Sequence, residues 1–416
     1  MSKEESIRNR LRQDTLTICR GAIDASMPDV LVERAMKQIP AAKGKTIVIS
    51  VGKAAWLMAY GVAKILQDRF SNGIIITKYG HSKGEIKNFN IFEAGHPIPD
   101  ENSLRATEAA IEAVRGLSEE DQVILLLSGG GSVLFEKPLI PLEELKEINC
   151  RLLASGADIT EVNTIRKRLS SVKGGRFGAL CSPAHVYSIL LSDVIGDYPD
   201  MIASGPALPD STTSTQALEI AERYHLCLNP LTKELLKRET PKELLNVTTI
   251  IIGGVHELCL EAKNVAETLG YKAVLLTDRL QCEAREAGKF LGAIAQSQAG
   301  HKRKTAYIIG GETVVHLIGR GKGGRNQELA LAAAELLRDL PAVIISVGSD
   351  GTDGPTDAAG GIVDGETARE LEAQNISIQQ VLEENDAYQA LKKCDGLIFT
   401  GPTGTNVNDV AVLLME

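Results

Sequence analysis

The 416-residue chain has little of what marks several common protein classes. Aromatic residues make up only 4% of it, and its seven scattered cysteines include no CxxC pair. Such cysteines fit reduced thiols rather than a disulfide framework or a zinc site. No apolar run approaches the roughly 18 residues of a membrane-spanning helix, and the N-terminal stretch lacks the apolar core of a signal peptide. We therefore expect a cytoplasmic protein.

Negative charges outnumber positive ones, which gives a formal net charge of −9. This balance argues against nonspecific binding to nucleic acid or acidic membranes, although local basic clusters can still bind small anions. The histidines show no HExxH spacing, and the GxSxG serine motif of many hydrolases is absent. A length of 416 residues with 44% hydrophobic residues suits a globular protein of two or three domains.

What the sequence does contain is a series of short apolar runs that alternate with helical patterns. Runs such as TIVISVG, VILLLSGGG and AVIISVGSDG are unbroken, as in strands buried on both faces. Their alternation with segments such as NQELALAAAELLRDL predicts an α/β fold with mostly parallel sheets flanked by helices. A polar, proline-marked stretch at 229–247 predicts two domains, 1–243 and 244–416.

Nearly every predicted strand ends in Gly, Ser, Asp or Glu, at the edge where open α/β sheets bind ligands. VGKAAW places Lys53 where a strand turns into a helix, which suits an anion, although a solvated loop lysine is the alternative. The run after VILLL can offer successive backbone amides and hydroxyls to a phosphate, or form a tight turn. It consists of Ser128, Gly129, Gly130, Gly131 and Ser132.

Two further segments of the first half carry charges in suggestive places. In NTIRKRLSSVKGGR, Lys173 and Arg176 flank a glycine turn suited to a phosphate or carboxylate, but such a run is equally typical of a solvated face. In LLSDVIGD, Asp193 stands at a strand end. A carboxylate there can hold Mg²⁺ or accept a proton from a substrate hydroxyl, and capping a helix is the structural alternative.

The second half contains a cationic glycine loop, IIGGETVVHLIGRGKGGRNQELAL. Glycines 319, 321 and 324 match GxGxxG, but the acidic partner expected about 20 residues further on is not well placed, so the dinucleotide fingerprint is weak. Arg320, Lys322 and Arg325 among these glycines suit several negative charges better. The following stretch, 347–365, carries Asp350, Asp353, Asp357 and Asp364, which can ligate Mg²⁺ or close Asx turns.

Taken together, these motifs resemble those of the glycerate 2-kinase family, the class that contains the MOFRL domain. The resemblance runs from about residue 10 to the C-terminus and is carried by VGKAAW, AGHPIPDEN, LSGGGS, NTIRKRLSSVKGGR, GGRNQELAL, DGTDGPTDAAGGIVDG and TGPTGTNVND. It implies a Rossmann-like N-terminal domain, a MOFRL-type C-terminal domain and an active site in the cleft between them. It also implies transfer of the γ-phosphoryl group of ATP, with Mg²⁺, to the 2-hydroxyl of D-glycerate.

The family's key lysine and arginine fall on Lys53 and Arg325, and we predict that these two act in catalysis together with Asp193. Which of the two cations holds the glycerate carboxylate and which the migrating phosphoryl group stays open. We further predict ATP contacts from Ser128, Gly129, Gly130, Gly131, Ser132, Lys173, Arg176, Gly323 and Gly324. The predicted Mg²⁺ ligands are Asp193, Glu312 and Asp353.

Two other functions remain to be distinguished. An NAD(P)-dependent hydroxypyruvate reductase, a label often given to members of this family, would use glycines 319–324 for the pyrophosphate and Lys53 or His96 for acid catalysis. A non-catalytic sensor of phosphorylated metabolites would keep the basic loops without consuming ATP. The predicted partners are small molecules, D-glycerate and ATP, with no nucleic acid or membrane. The sequence does not fix whether the chain is a monomer or a homodimer.

Overall fold

The computed structural model describes residues 3–192, 199–300 and 303–416, which form two compact units. The first unit comprises residues 28–252, and the second comprises residues 1–27 and 253–416. Over the described ranges, no helix combines the length and hydrophobicity needed to cross a bilayer.

The α-helices are, in chain order, α1 (Lys3–Ala25), α2 (Pro28–Met36), α3 (Ala55–Leu66), α4 (Glu101–Ala113), α5 (Gly131–Leu134), α6 (Leu142–Ala154), α7 (Ile159–Leu169), α8 (Arg176–Leu180), α9 (Ser214–Arg223), α10 (Pro230–Lys237), α11 (Val255–Thr268), α12 (Ala284–Gln298), α13 (Arg325–Ala333), α14 (Thr367–Glu372), α15 (Ile378–Glu383) and α16 (Ala387–Lys393). Short 3₁₀ segments lie at Pro199–Ser204 and Ala334–Leu337.

The strands are β1 (Thr46–Val51), β2 (Asn72–Lys78), β3 (Phe89–Ala94), β4 (Gln122–Leu127), β5 (His185–Leu191), β6 (Val247–Ile252), β7 (Lys272–Leu280), β8 (Thr305–Gly311), β9 (Ala342–Gly348), β10 (Gly360–Asp364), β11 (Leu397–Ile398) and β12 (Asp409–Met415).

The first unit is built on a parallel sheet with the strand order β3-β2-β1-β4-β5-β6. Every residue of β1 and of β4 is buried, as the unbroken apolar runs predict. This order is that of doubly wound dinucleotide-binding folds. Strands β2 and β3 are added outward on one side of β1, and β4 to β6 are added on its other side, so the strand order reverses between β1 and β4. The Rossmann-like architecture predicted for this part of the chain is therefore confirmed.

Side chains in the connecting segments define where several of these helices begin. The side chains of Asp100, Asp158 and Thr213 each accept a hydrogen bond from the backbone amide three residues later. In each case the side chain of that later residue accepts a hydrogen bond from the backbone amide of the capping residue. Such capping boxes satisfy backbone donors that the first turn of a helix leaves unpaired. They fix the starts of α4, α7 and α9.

The division between the units differs from the predicted one at residue 243. Strand β6 pairs in parallel with β5 over Val186–Leu191 and Val247–Ile252, so it belongs to the first sheet and the division follows at residues 252 and 253. The apolar run of β6 predicts a strand but carries no information about which sheet the strand joins. The proline-marked stretch before it contains α10 and the approach to this strand.

The sheet of the second unit has the order β11-β10-β9-β12-β8-β7. It departs from the expected mostly parallel arrangement, because β7 and β8 pair in parallel while the other four pairings are antiparallel. The C-terminal strand β12 is inserted between β8 and β9 and runs against both. Helices α12 and α13 share a core with Ile309, Ile344 and Leu413 on one face of this sheet.

Helix α1 belongs to the second unit, although it precedes the first unit in the chain. It packs on α11, β9 and β12, and the Tyr271 hydroxyl donates to Oδ2 of Asp14 at 2.6 Å. Arg12 donates from Nη1 to Oδ2 of Asp364 at 2.6 Å and from Nη2 to the Asp395 carbonyl at 2.8 Å. These contacts link residues more than 250 positions apart, which a local sequence pattern does not reveal.

We predict that Arg12→Ala destabilises the second unit. The Asp364 carboxylate is only 4% exposed, and loss of its cation should cost about 1–3 kcal/mol. A lower midpoint in urea or thermal unfolding would report this loss. Arg20→Ala removes an exposed arginine from the same helix and is the matched control. Equal midpoints for the two variants would contradict a stabilising role for the Arg12 contacts.

Candidate active site

The first candidate site lies at the carboxyl edge of the parallel sheet, where β1 and β4 end side by side. Val51 pairs with Leu127 at this edge, so Lys53 and the loop 128–132 leave the sheet together. In open α/β sheets ligands bind outside the carboxyl ends of the strands at the point where strand order reverses. That point is the β1–β4 boundary here.

A close backbone contact fixes the two loops against each other. Gly52 has φ +123°, and a Cβ there would collide with the backbone and side chain of Ser128. The Ser128 amide donates to the Val51 carbonyl at 2.9 Å, and its Oγ accepts the Ala54 amide at 3.1 Å. Ser128 is 1% exposed. Its hydroxyl therefore positions the β1–α3 turn, and the predicted ATP contact from this serine does not fit its burial.

The remaining part of the loop presents groups suited to an anion. The Lys53 amide donates to the Gly129 carbonyl at 2.9 Å, which turns the Gly129 peptide away from the strand. Over the ranges that the structure describes, the amides of Gly129 and Gly130 have no acceptor. A Cβ placed on Gly130, whose φ is +85°, would lie 3.3 Å from Cγ of Lys53. An exposed ammonium-bearing side chain thus stands beside two unpaired amides.

The other members of the loop divide between packing and exposure. A Cβ on Gly131 would lie 2.7 Å from Cβ of Ala203, so this glycine permits close packing rather than ligand approach. Ser132 is half-buried and is the second residue of the short helix α5. Of the five residues predicted to contact ATP here, Gly129, Gly130 and Ser132 remain candidates.

The basic run at 163–176 serves mainly to hold the first unit together. Lys173 is fully buried and forms an ion pair with Glu136. Arg176 donates from Nη1 to the carbonyls of Lys167 at 2.5 Å and Ser170 at 2.6 Å. This burial fits neither interpretation of Lys173 given above, a solvated surface residue or an ATP contact. Its charge is instead neutralised inside the protein, which is what a buried cation requires.

Asp193, the predicted proton acceptor and Mg²⁺ ligand, lies outside the described residues. It follows β5, the neighbour of β4 in the sheet. Its role stays a prediction.

The second candidate site centres on Arg325, the first residue of α13. Its Nε and Nη2 donate to the two carboxylate oxygens of Asp409 at 2.5 and 3.1 Å, and Nη1 donates to Oε1 of Glu312 at 3.0 Å. Asp409 begins β12, opposite Gly311 and Gly348 at the ends of β8 and β9. Asp409 and Glu312 therefore bring the start of β12 and the end of β8 to the guanidinium.

Burial shapes the electrostatics of this cluster. It raises the pKa of the Asp409 carboxyl to about 6, and the hydrogen bonds and charge of Arg325 oppose that rise. The same carboxylate raises the pKa of Arg325, against the lowering effect of burial. Asp409 is not among the residues predicted for the site, although its place directly before the apolar run VAVLLM is the position of a strand-end carboxylate.

The glycines of the 319–324 loop are explained by close packing within the second unit. A Cβ on Gly319 or Gly321 would collide with the turn at 384–386, and one on Gly324 would collide with Asp353. Gly323 has more room, with its nearest neighbours at 3.3 Å. The segment before the loop forms a single bridge at Val314 rather than a strand. The structural context of a dinucleotide fingerprint is therefore missing here, whereas the ATP contact for Gly324 stays a prediction.

The carboxylate of Asp353, a predicted Mg²⁺ ligand, binds the first turn of helix α13. Its oxygens accept the backbone amides of Asn326 at 3.1 Å and Gln327 at 2.9 Å, and its carboxyl group is buried. Burial raises its pKa, and these hydrogen bonds oppose the rise. Asp350 likewise accepts the Thr352 amide at 2.9 Å. The Asx alternative therefore describes these residues better than metal ligation does.

A cavity of about 840 Å³ opens beside Arg325 within the second unit. Glu312, Gly323 and Gly324 line it together with the apolar side chains of Val314 and Leu317. Cavities of this size that combine apolar walls with a few charged groups are typical of sites for small molecules. The cavity brings together four of the predicted residues: Glu312, Gly323, Gly324 and Arg325.

We predict that Arg325→Ala makes the stability of the protein more dependent on pH above about 6. Without its cation the folded Asp409 should titrate above its present pKa of about 6, whereas an unfolded aspartate titrates near about 3.9. A carboxyl whose pKa is raised by folding loses stability as pH increases through that folded pKa. The deficit in melting midpoint relative to the unsubstituted protein should therefore grow between about pH 6 and about pH 8.

The double variant Arg325→Ala/Asp409→Asn is the control for this effect. It removes the titrating group, so its deficit should stay constant over the same pH range. A constant deficit in the single variant would contradict the assigned coupling.

Comparisons with known proteins agree with this architecture. The sequence profile of a domain of unknown function (DUF4147) matches residues 14–237, and that of the MOFRL family matches residues 305–409. D-glycerate 2-kinase of Thermotoga maritima is 49% identical over 97% of this chain and 98% of its own length. A putative hydroxypyruvate reductase of Agrobacterium vitis is 38% identical over 89% of this chain and all of its own.

A solved structure extends the likeness to the fold. The crystal structure of a glycerate kinase from Thermotoga maritima matches with a TM-score of 0.95 at 48% identity, covering 98% of this chain and 100% of that one. Similarity of this extent over both units shows common ancestry rather than a shared motif. The chain belongs to the glycerate 2-kinase family.

Proposed function

We propose that this chain is a glycerate 2-kinase, which transfers the γ-phosphoryl group of ATP to the 2-hydroxyl of D-glycerate and releases 2-phospho-D-glycerate and ADP. The chain belongs to this family, and one observation carries the proposal. The Lys53 side chain lies beside the amides of Gly129 and Gly130, which have no acceptor among the described residues, at the point where the strand order of the parallel sheet reverses. ATP is a substrate in this reaction, and D-glycerate is the other.

Phosphoryl transfer asks the protein mainly for position and charge neutralisation, because the transition state is loose and strongly anionic. Lys53 supplies a cation beside the two amides, where an anionic group of either substrate can bind. Arg325 supplies donors whose direction is fixed by Asp409 and Glu312. We infer that the two sites provide different parts of one reaction.

Mg²⁺ is expected to accompany ATP, and the described residues fit it only in part. No group of three or more His, Cys, Asp or Glu side chains suited to a metal occurs in the described parts of the chain. Mg²⁺ in kinases, however, needs only one or two carboxylates in addition to phosphate oxygens and water. Glu312 fits, because its carboxylate is 47% exposed and lines the cavity beside Arg325. We propose Glu312 as a protein ligand of the ion, which would neutralise phosphate charge there, and ligation by Asp193 stays a prediction from the sequence.

The proposal predicts that purified protein releases ADP only when ATP and D-glycerate are both present. Arg325→Ala should lose about 3 kcal/mol of transition-state stabilisation, or roughly 10²-fold in kcat/KM, as for other preorganised donors. Lys53→Met should cause a loss of similar order, because it removes the charge but keeps the length of the chain. Coupled measurement of ADP release gives both values.

Matched controls are available in each unit. Lys233→Met and Arg338→Ala remove a cation from exposed or half-exposed surface positions on α10 and near the end of the second short 3₁₀ segment, and neither should change kcat/KM. Normal turnover in folded Arg325→Ala would remove Arg325 from the mechanism, and the same outcome in Lys53→Met would remove the lysine.

The reductase alternative is less well supported. The 319–324 glycines pack against the turn at 384–386, and no strand leads into them. Oxidation of NADH in the presence of hydroxypyruvate would establish a reductase directly. Absence of ADP release with retained binding of phosphorylated metabolites would instead indicate a sensor.

A further inference from the structure

His96 lies in the loop between β3 and α4 and reaches the anion site of the first unit. A Cβ placed on Gly130 would be 3.2 Å from both Cδ2 and Nε2 of His96, and 3.3 Å from Cγ of Lys53. The Nε2 edge of the imidazole and the Lys53 side chain therefore stand over the same glycine. An anionic substrate held by Lys53 and the amides of Gly129 and Gly130 would lie directly beside this nitrogen.

The loop that carries His96 is held in place by Asp100. Its Oδ1 accepts the Ser103 amide at 3.0 Å, and its Oδ2 accepts the Tyr79 hydroxyl at 2.7 Å. The turn is also tight, since a Cβ on Gly95 would lie 2.6 Å from the Ile98 carbonyl oxygen. His96 thus projects from a segment anchored both to α4 and to the end of β2, which keeps the imidazole in a defined position.

The surroundings of the imidazole are cationic. The charges of Lys53 and Lys78, at the ends of β1 and β2, act on it, and His81 in the loop that follows β2 adds to their effect. The carboxylates nearby are engaged elsewhere, because Glu93 accepts the amides of Gly80 and Ser82, and Asp100 is bound as described. Partial burial first, and these cations second, lower the pKa of His96, so the ring stays neutral near pH 7.

The ring nitrogens of His96 are available to a ligand. In the part of the chain that the structure describes, no side chain or backbone group forms a hydrogen bond with them. A half-buried, neutral imidazole without a structural partner, next to an ammonium group and free amides, has the arrangement of a general base.

We propose that Nε2 of His96 accepts the proton of the acceptor hydroxyl during phosphoryl transfer. The O–H bond of the 2-hydroxyl breaks, its oxygen forms a new bond to the γ-phosphorus, and the bond from that phosphorus to ADP breaks. The proton resides on the imidazole and passes to water after the products leave. This inference rests on the proposed kinase function and assigns to His96 the proton transfer expected of Asp193, which stays a predicted Mg²⁺ ligand.

The first test is the pH dependence of kcat/KM for D-glycerate at saturating ATP. The unsubstituted enzyme should lose activity at low pH with an apparent pKa below 6.5, as the imidazole becomes protonated. His96→Gln keeps an amide that can donate and accept hydrogen bonds but cannot take up a proton. It should lower kcat about 10²-fold or more, change KM values little, and abolish this acid limb.

The second test moves the pKa without touching the base. Lys78→Gln removes one of the cations that act on His96, so the acid limb should shift to higher pH while activity on the plateau is kept. Titration of the His96 imidazole by NMR in the free protein should show the same upward shift. His185→Gln is the matched control, because Nε2 of His185 is bonded to Thr248 at 2.9 Å at the opposite edge of the sheet. It should change neither rate nor profile.

The outcomes separate this inference from the proposed function. ADP release by the unsubstituted enzyme with retained kcat in folded His96→Gln would overturn the inference and leave the kinase intact. A fall in kcat with an unchanged acid limb would also overturn it, since His96 would then act by hydrogen bonding alone. Absence of D-glycerate-dependent ADP release in the unsubstituted protein would overturn both. Melting curves, with His96→Asn as a second variant, guard against misfolding.

Discussion

The first site depends on the contact between Gly52 and Ser128. Only a residue without a Cβ lets the end of β1 approach the end of β4 this closely, and the positive φ of Gly52 turns the chain toward α3 at that point. Ser128, which follows β4, then hydrogen-bonds to Val51 at the end of β1 and to Ala54 in the turn after it, and the Lys53 amide bonds to the Gly129 carbonyl. The placement of the Lys53 backbone beside the free amides is therefore a property of the sheet.

Much of the fold could be predicted from sequence because a strand buried on both faces is an unbroken apolar run. Strands such as β1, β4 and β9 satisfy this condition completely. Strand β3 does not, since its residues are mostly half-exposed at the sheet edge. Strand β12 satisfies it, although it directly follows a polar loop. Sheet order depends on pairings between strands that are separated in sequence, such as β1 with β4, and the position of α1 depends on contacts between residues more than 250 positions apart. No local pattern encodes either.

The site predictions divide for a related reason. A residue at the end of a predicted parallel strand has its position fixed by topology, so Lys53 and the 128–132 loop could be placed together from sequence. Charge alone gives no such information, because a sequence does not show whether a cation has a buried partner. Lys173 has one in Glu136, and Asp353 binds the amides that start α13. Both are polar residues in glycine-rich segments, and both turn out to stabilise the scaffold.

The two cations differ in what they can offer to a phosphoryl group. Three of Arg325's five donors are held by Asp409 and Glu312, so its charge is largely compensated and its remaining donors have a fixed direction. Lys53 has no carboxylate partner among the described residues, and its ammonium group is free to follow an anion. A directed donor suits an atom whose charge develops at one place, whereas an uncompensated, adaptable charge suits an anion that moves or is exchanged.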